Sequence, residues 1–201
     1  MQALTMLISF IIILMVATAA LPSPEHFPKT NGGCFPLWLR FNDNCYRFLG
    51  EPMTWGEAEL YCQRWDTKIG HLVSVGHLVS IHSKKENDFV NLMWQTTIID
   101  PGLDEDLFEP DVNRANAMWI GLSDHEEEDH WHWTDNSTTH GYNNWRWYQP
   151  NNNDDLDGTG RGEDCAHMFK RSYPWHWWYG DWNDATCDRL LPFVCELPID
   201  E

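Results

Sequence analysis

Basic residues are scarce in this chain. Thirteen Lys and Arg stand against 31 Asp and Glu over 201 residues, for a net charge of −18 with histidine neutral. Nucleic acid is excluded as a partner, because phosphate contacts need a basic face. Catalytic signatures are lacking too. There is no Gly-x-Ser-x-Gly, no His-Glu-x-x-His and no glycine-rich loop of the phosphate-cradling kind. His125, His130 and His132 lack the i, i+4 spacing of a helical zinc pair. The chain therefore reads as a binding protein and not an enzyme. Beyond the first twenty residues no apolar run is long enough to cross a bilayer.

Met1 to Ala20 is almost wholly apolar, and Ala17-Thr18-Ala19 supplies a small-x-small cleavage site before Pro22. This predicts a secretory signal peptide over residues 1–20, although no Lys or Arg precedes the apolar core. The competing reading is an uncleaved anchor, since Ala3 to Leu21 approaches spanning length. Cleavage leaves about 180 residues, enough for one domain with its own core, extracellular and with no membrane-inserted segment. Residues 21–33 read as a linker. Six cysteines remain, Cys34, Cys45, Cys62, Cys165, Cys187 and Cys195. Export makes disulfides the default, and an even count leaves no thiol over. Fifteen pairings are possible, and spacing alone does not choose among them.

What is abundant is acid and tryptophan. Acid excess has two meanings here, a solvated surface or a need for a divalent cation bound by hard oxygens. Thirteen Trp suit an exported sugar binder, because an aromatic face covers the apolar C–H face of a pyranose. Most of them are expected in the core.

Cys34 to Cys45 reads as a hairpin turning at Asp43-Asn44, and Cys45 to Phe48 alternates as a strand does. Thr54-Trp55-Gly56-Glu57 is a capping box, with Trp55, Ala58, Tyr61, Cys62 and Trp65 on one helical face. Ser83-Lys84-Lys85-Glu86 repeats the device ahead of Phe89, Val90, Met93 and Trp94. Gly70–Val75 is nearly duplicated by Gly76–Ile81. An insertion of six residues preserves strand facing, so one copy is expected as a strand and the other as a bulge beside it. Ile98 to Ala117 reads as an acidic surface insertion. Short strands and long loops follow. The fold class is α+β, with helices early and antiparallel sheet late.

Trp119-Ile120-Gly121-Leu122, Gln149-Pro150-Asn151, Gly162-Glu163-Asp164-Cys165, Trp182-Asn183-Asp184 and Phe193-Val194-Cys195-Glu196 occur in this order. In these motifs the chain resembles the C-type lectin domain family over residues 34–197, most of all the small secreted invertebrate lectins of the echinoidin type; residues 198–201 form a short tail. The resemblance implies two helices, antiparallel sheets and a long loop region with a calcium site. It also implies the pairing Cys34–Cys45, Cys62–Cys195 and Cys165–Cys187, and a cis bond before Pro150.

Ca²⁺ takes about 6–8 oxygen ligands from carboxylates, amides and backbone carbonyls. By the resemblance, Gln149, Asn151, Glu163, Asn183 and Asp184 hold it, and vicinal hydroxyls of a sugar take the open positions. Gln149, Asn151, Glu163 and Asn183 then also hydrogen-bond that sugar. The family's mannose type carries Glu-Pro-Asn and its galactose type Gln-Pro-Asp. Gln149-Pro150-Asn151 is a hybrid with no carboxylate, so the site has two carboxylates, Glu163 and Asp184, where either type has three. Weaker calcium binding is expected. Once its oxygen is on the metal an amide donates, whereas a carboxylate only accepts. Gln149 matches the galactose type, which is the preference read here, and Asn151 the mannose type. No aromatic follows the triplet through Arg161, so one ring of the insert Tyr173 to Tyr179, with Trp175, Trp177 and Trp178, is the expected stacking platform. The alternatives are that the rings pack on the sheet, as most are expected to, or cover a partner subunit. Asp124, Glu128, Asn152 and Asp164 match an auxiliary calcium site, against the plainer reading of a solvated acidic loop. Asn136-Ser137-Thr138 is a glycosylation sequon. The partner expected is a galactose- or mannose-type glycan, and any homo-oligomer is non-covalent. The alternative is an acidic matrix or biomineral-associated protein on the same fold, without sugar binding.

Overall fold

The computed structural model describes residues 33–69, 71–96, 117–153, 162–169 and 180–199. Residues 1–20, expected as a signal peptide, the acidic insertion through residue 116 and the ring-bearing insert with Trp175, Trp177 and Trp178 lie outside the described residues.

The chain opens with a hairpin, β1 (Leu39–Phe41) and β2 (Asn44–Met53). The turn is Asn42-Asp43, because Asn44 already pairs with Phe41. Asn42 takes the positive φ of 51° that a tight connection needs. Helix α1 (Trp55–Cys62) starts on the predicted capping box: Glu57 N–H donates to Thr54 Oγ1, and Thr54 N–H donates to Glu57 Oε2. Trp55, Ala58 and Cys62 are buried as expected. So is Glu59, whose carboxylate accepts from Leu78 N–H at 2.8 Å and lies 2.7 Å from His77 Nδ1. Helix α2 (Lys84–Thr96) departs from its predicted box. Ser83 Oγ accepts from Glu86 N–H, but the Glu86 carboxylate accepts from His82 N–H and Tyr46 Oη–H instead.

The duplicated segment makes strands twice. Its first copy contributes β4 (Leu72–Val75), which pairs only with β3 (Asp66–Ile69) in a small separate sheet. Its second copy contributes β5 (His77–Leu78), which joins the main sheet against β10 (Leu191–Pro198). The expected bulge is thus a second short hairpin.

The main sheet runs β1-β2-β10-β6-β8-β9, with β6 (Ala117–Ser123), β8 (Cys165–Phe169) and β9 (Trp182–Ala185); β5 sits on β10, and β7 (His132–Trp133) on β6. All seven residues of β6 are buried. Its side chains alternate between two cores. Ala117 and Trp119 join Trp55, Ala58, Phe193 and Leu197 on the α1 side. Met118, Ile120 and Leu122 join Val90, Trp94, Trp133, Met168 and Trp182 on the α2 side. A central strand covered on both faces reads as an unbroken apolar run.

The disulfides are Cys34–Cys45, Cys62–Cys195 and Cys165–Cys187, the same pairing that the resemblance implies. Cys62–Cys195 closes α1 onto β10 across 133 residues. Such bridges typically contribute about 2–4 kcal/mol each. Among the described residues no helix is long and apolar enough to cross a membrane.

Candidate calcium and sugar site

The site is assembled around β9. Trp182 fastens this strand to the α2-side core. Its indole Nε1–H donates to Asn87 Oδ1 of α2 at 2.8 Å, and Trp133, Tyr142 and Trp145 meet it edge-on with centroids 5.6–5.9 Å away. Edge-to-face contacts of this kind are the preferred aromatic geometry. Asn87 and Asn91 of α2 also donate to the carbonyls of Gly180 and Phe169, which holds the adjoining ends of β8 and β9.

The backbone of Trp182 then captures the loop that carries the triplet. Trp182 N–H donates to Asn144 O at 2.8 Å, and Arg146 N–H donates to Trp182 O at 2.9 Å. Gln149-Pro150 is cis. Beyond the proline, Asn151 N–H and Asn152 N–H both donate to Asp184 Oδ2, each at 2.7 Å. Asn153 N–H donates to Glu163 Oε2 at 3.2 Å, and Glu163 N–H donates to Asn152 Oδ1 at 2.7 Å. Two carboxylates therefore act as cores around which the loop is wound. A charged acceptor taking backbone N–H groups makes the stronger class of hydrogen bond.

This winding sets the backbone after the triplet against Asp184 and Glu163, two of the five predicted ligands. Asp184 is fully buried, Glu163 is buried, Gln149 and Asn183 are half-buried, and Asn151 is exposed. The Asn183 side-chain amide lies against the Asp184 backbone carbonyl. Burial pushes the Asp184 carboxyl above its ordinary range, and the two N–H donors only partly oppose that. Among the described residues, two of the buried oxygens here find no donor, Gln149 Oε1 and Asp184 Oδ1. Buried oxygens are nearly always satisfied, and an orphan calls for a specific explanation. A hard cation bound by amide and carboxylate oxygens is one such explanation, and the residues present fit it.

The auxiliary residues gather next door. A cavity of about 160 Å³ is lined by Asp124, Glu128, Asp129, Trp131, Pro150, Asn151, Asn152 and Asp184, so it borders both sets. Asp124 Oδ2 accepts from Asp129 N–H at 3.0 Å, while Asp124 Oδ1 is buried without a partner. Burial, and then the nearby Glu128 and Asp164 charges, raise the Asp124 carboxyl to about 6. Asp164 is tied in through its carbonyl, which accepts from Asp124 N–H at 3.1 Å. A β carbon at Gly162 would lie 2.6 Å from both Asn152 Oδ1 and Asp164 Oδ1, so a larger residue there would push these oxygens aside. Among the described residues no three His, Cys, Asp or Glu side chains converge as a metal group on their own. A cation at either set would need amide or backbone oxygens as well.

The sequence offered no sign of His167. It stands opposite Asn183 in the β8–β9 register, with Nε2 3.3 Å from Asn183 Nδ2. Complete burial lowers its pKa to about 3, so the ring is neutral and serves as a polar spacer behind Asn183. Asn87 was hidden likewise, because nothing local marks a helix asparagine as the partner of a distant indole. Asn136 is exposed at a turn, with φ 60°, which leaves the sequon accessible.

The chain belongs to the C-type lectin family: the Lectin C-type domain matches residues 51–197. Among individual proteins, it is 34% identical over 187 residues to an alpha-N-acetylgalactosamine-specific lectin of Patiria pectinifera, covering 92% of each chain. It is 33% identical over 170 residues to echinoidin of Heliocidaris crassispina, covering 83% of this chain and 99% of that one. Among solved structures it is similar to the C-type lectin CEL-I from Cucumaria echinata, with a TM-score of 0.60 at 28% identity, covering 81% and 96% of the two chains.

Proposed function

We propose that this protein is a secreted, calcium-dependent lectin that seats two vicinal hydroxyls of a neutral glycan at Gln149, Asn151, Glu163, Asn183 and Asp184. The observation that carries this reading is the pair of buried, donorless oxygens, Gln149 Oε1 and Asp184 Oδ1, in one loop-and-strand assembly. Calcium, when bound, supplies positive charge to these oxygens and a direct attachment point for the sugar hydroxyls. The protein's own part is orientation. Asp184 and Glu163 hold the loop through four loop N–H···O bonds counting that from Glu163 to Asn152. With its oxygen committed to the cation, each amide of Gln149 and Asn151 presents an NH₂ to a sugar oxygen, and Glu163 accepts from a sugar hydroxyl.

Galactose-type sugars are the preferred ligand, on the donor at Gln149. The alpha-N-acetylgalactosamine specificity named for the Patiria pectinifera lectin supports that order. Asp124, Glu128, Asn152 and Asp164 are proposed as a second calcium site that stiffens the loop, and Asn136 as glycosylated. Residues 1–20 are proposed as the export signal. The test is chromatography on immobilised galactose and mannose in calcium. Retention on galactose and release by EDTA is the expected result. Retention on calcium carbonate with passage through every sugar column would favour the acidic matrix protein instead.

A further inference from the structure

Just upstream of the triplet, two large rings stand in water. Trp147 is 81% exposed and Tyr148 87%. They are the central residues of a turn closed by Gln149 N–H donating to Arg146 O at 2.9 Å. Tyr148 has φ 65°. In a turn of this form the third position favours Gly or Asn, since a β carbon is disfavoured at positive φ. The turn thus combines two features that folding opposes, exposed aromatic surface and a strained backbone. Strain that persists in an ordered segment points to a function there. The neighbouring Trp145 shows that the loop can pack a ring against the core, since it lies partly buried at 4.7 Å on Trp131 and 5.9 Å on Trp182. Trp147 and Tyr148 touch mainly each other, edge-on at 6.3 Å and 90°.

The turn is also held firmly. Arg146 is fixed to Trp182 on one side, and Gln149, with its buried Oε1, closes the other. The remaining ligands Asn151, Glu163, Asn183 and Asp184 all lie on the downstream side of Pro150, joined through the Asp184 and Glu163 carboxylates. Trp147 and Tyr148 lie on the upstream side, immediately before Gln149 in the chain. The turn spans under about 7 Å between its end Cα atoms, so the rings are within reach of the next residue of the same glycan.

We propose that Trp147 and Tyr148 form a second subsite that stacks on the apolar C–H face of the neighbouring pyranose in a neutral oligosaccharide. The inference rests on the sugar-binding reading above. The net charge of −18 selects against an acidic sugar at this position. It also gives the chain an aromatic platform independent of the insert at residues 173–179.

The experiment is calorimetric titration in calcium with methyl galactoside, methyl mannoside and a panel of neutral disaccharides ending in galactose or mannose. In the wild type at least one disaccharide should bind about five- to tenfold tighter than its monosaccharide. Trp147→Ala and Tyr148→Asn should each bring that ratio to about one, with monosaccharide affinity unchanged. Tyr148→Asn should melt no lower than the wild type, because Asn tolerates the positive φ. Equal loss for monosaccharide and disaccharide, or an unchanged ratio in both variants, overturns the subsite while the lectin reading stands. Failure of the wild type to bind any sugar in the set overturns both.

Discussion

Asp184→Asn is the most informative substitution at the site. In the wild type, Oδ2 accepts two loop N–H groups at 2.7 Å, and Oδ1 is buried with no partner. The amide of Asn can keep its oxygen on the two N–H groups, which turns its NH₂ toward the position of the orphan oxygen. The loop tether weakens from charge-assisted to neutral bonds, about 1 kcal/mol for each of two. Relief from burying a carboxylate, which raises the Asp184 pKa, offsets part of that. In EDTA the variant should therefore lie within about 1 kcal/mol of the wild type. In calcium the two should separate. A ligand at about 100 times its Kd stabilises the folded state by about 2.7 kcal/mol, or roughly 5–10 °C of Tm for a domain of this size. Asp184→Asn should lose nearly all of that increment, because a donor replaces an acceptor on the cation. The assay is a thermal melt of both proteins with EDTA and with millimolar calcium. A variant that keeps the full calcium-dependent shift would refute the placement of Asp184 Oδ1 at the cation.

Gln149→Glu and Asn151→Asp each restore a third carboxylate, so each should tighten calcium binding on the order of tenfold. The first should move sugar preference toward mannose and the second toward galactose; a calcium titration that shows no gain in either variant counts against the ligand set. Glu196 is buried beneath Ser80, Tyr46 and Asn44, and burial raises its pKa from 4.5 to about 8. The folded state holds this proton longer than the unfolded chain does, so stability is full below about pH 4.5 and declines as pH rises toward 8, by up to about 1.4 kcal/mol per unit. Urea unfolding in EDTA at pH 5, 6.5 and 8 should show a steeper decline for the wild type than for Glu196→Gln, and parallel curves would contradict the assignment. Gly121→Ala places a β carbon 2.6 Å from Leu78 O and 2.8 Å from Thr134 Oγ1. It should cost about 1–3 kcal/mol through overpacking, and an unchanged Tm would show that the β5–β6 contact relaxes freely.

Local features of the chain were legible wherever the information was local. The Thr54 capping box needs only four consecutive residues, and it formed as read. The first hairpin needed only turn chemistry between apolar stretches, and its turn lies one residue earlier than Asp43-Asn44 suggested. The candidate ligands were legible as residue types inside ordered motifs, although Gln149 and Asp184 stand far apart in the chain. The second capping box was misread for a non-local reason. Glu86 is drawn from its own N-cap by Tyr46 Oη–H on β2 and by His82 N–H.

The duplicated segment separates what the amino-acid order decides from what it leaves open. Both copies carry the same alternation, and both become strands. Yet Val79 and Ile81 are completely buried while Val73 and Val75 are 58% and 38% exposed. Only one copy could take the place beside β10, and the other was left to pair with β3. The same holds for tryptophan. Nothing in composition distinguishes Trp119, Trp133 and Trp182, all closed into the core, from Trp147, held out in water beside the triplet. Propensity, capping and motif order are properties of neighbouring residues and can be read along the chain. Which strand finds the sheet, which ring finds the core and which oxygens meet without a donor depend on partners many residues distant, and only packing in three dimensions assigned them.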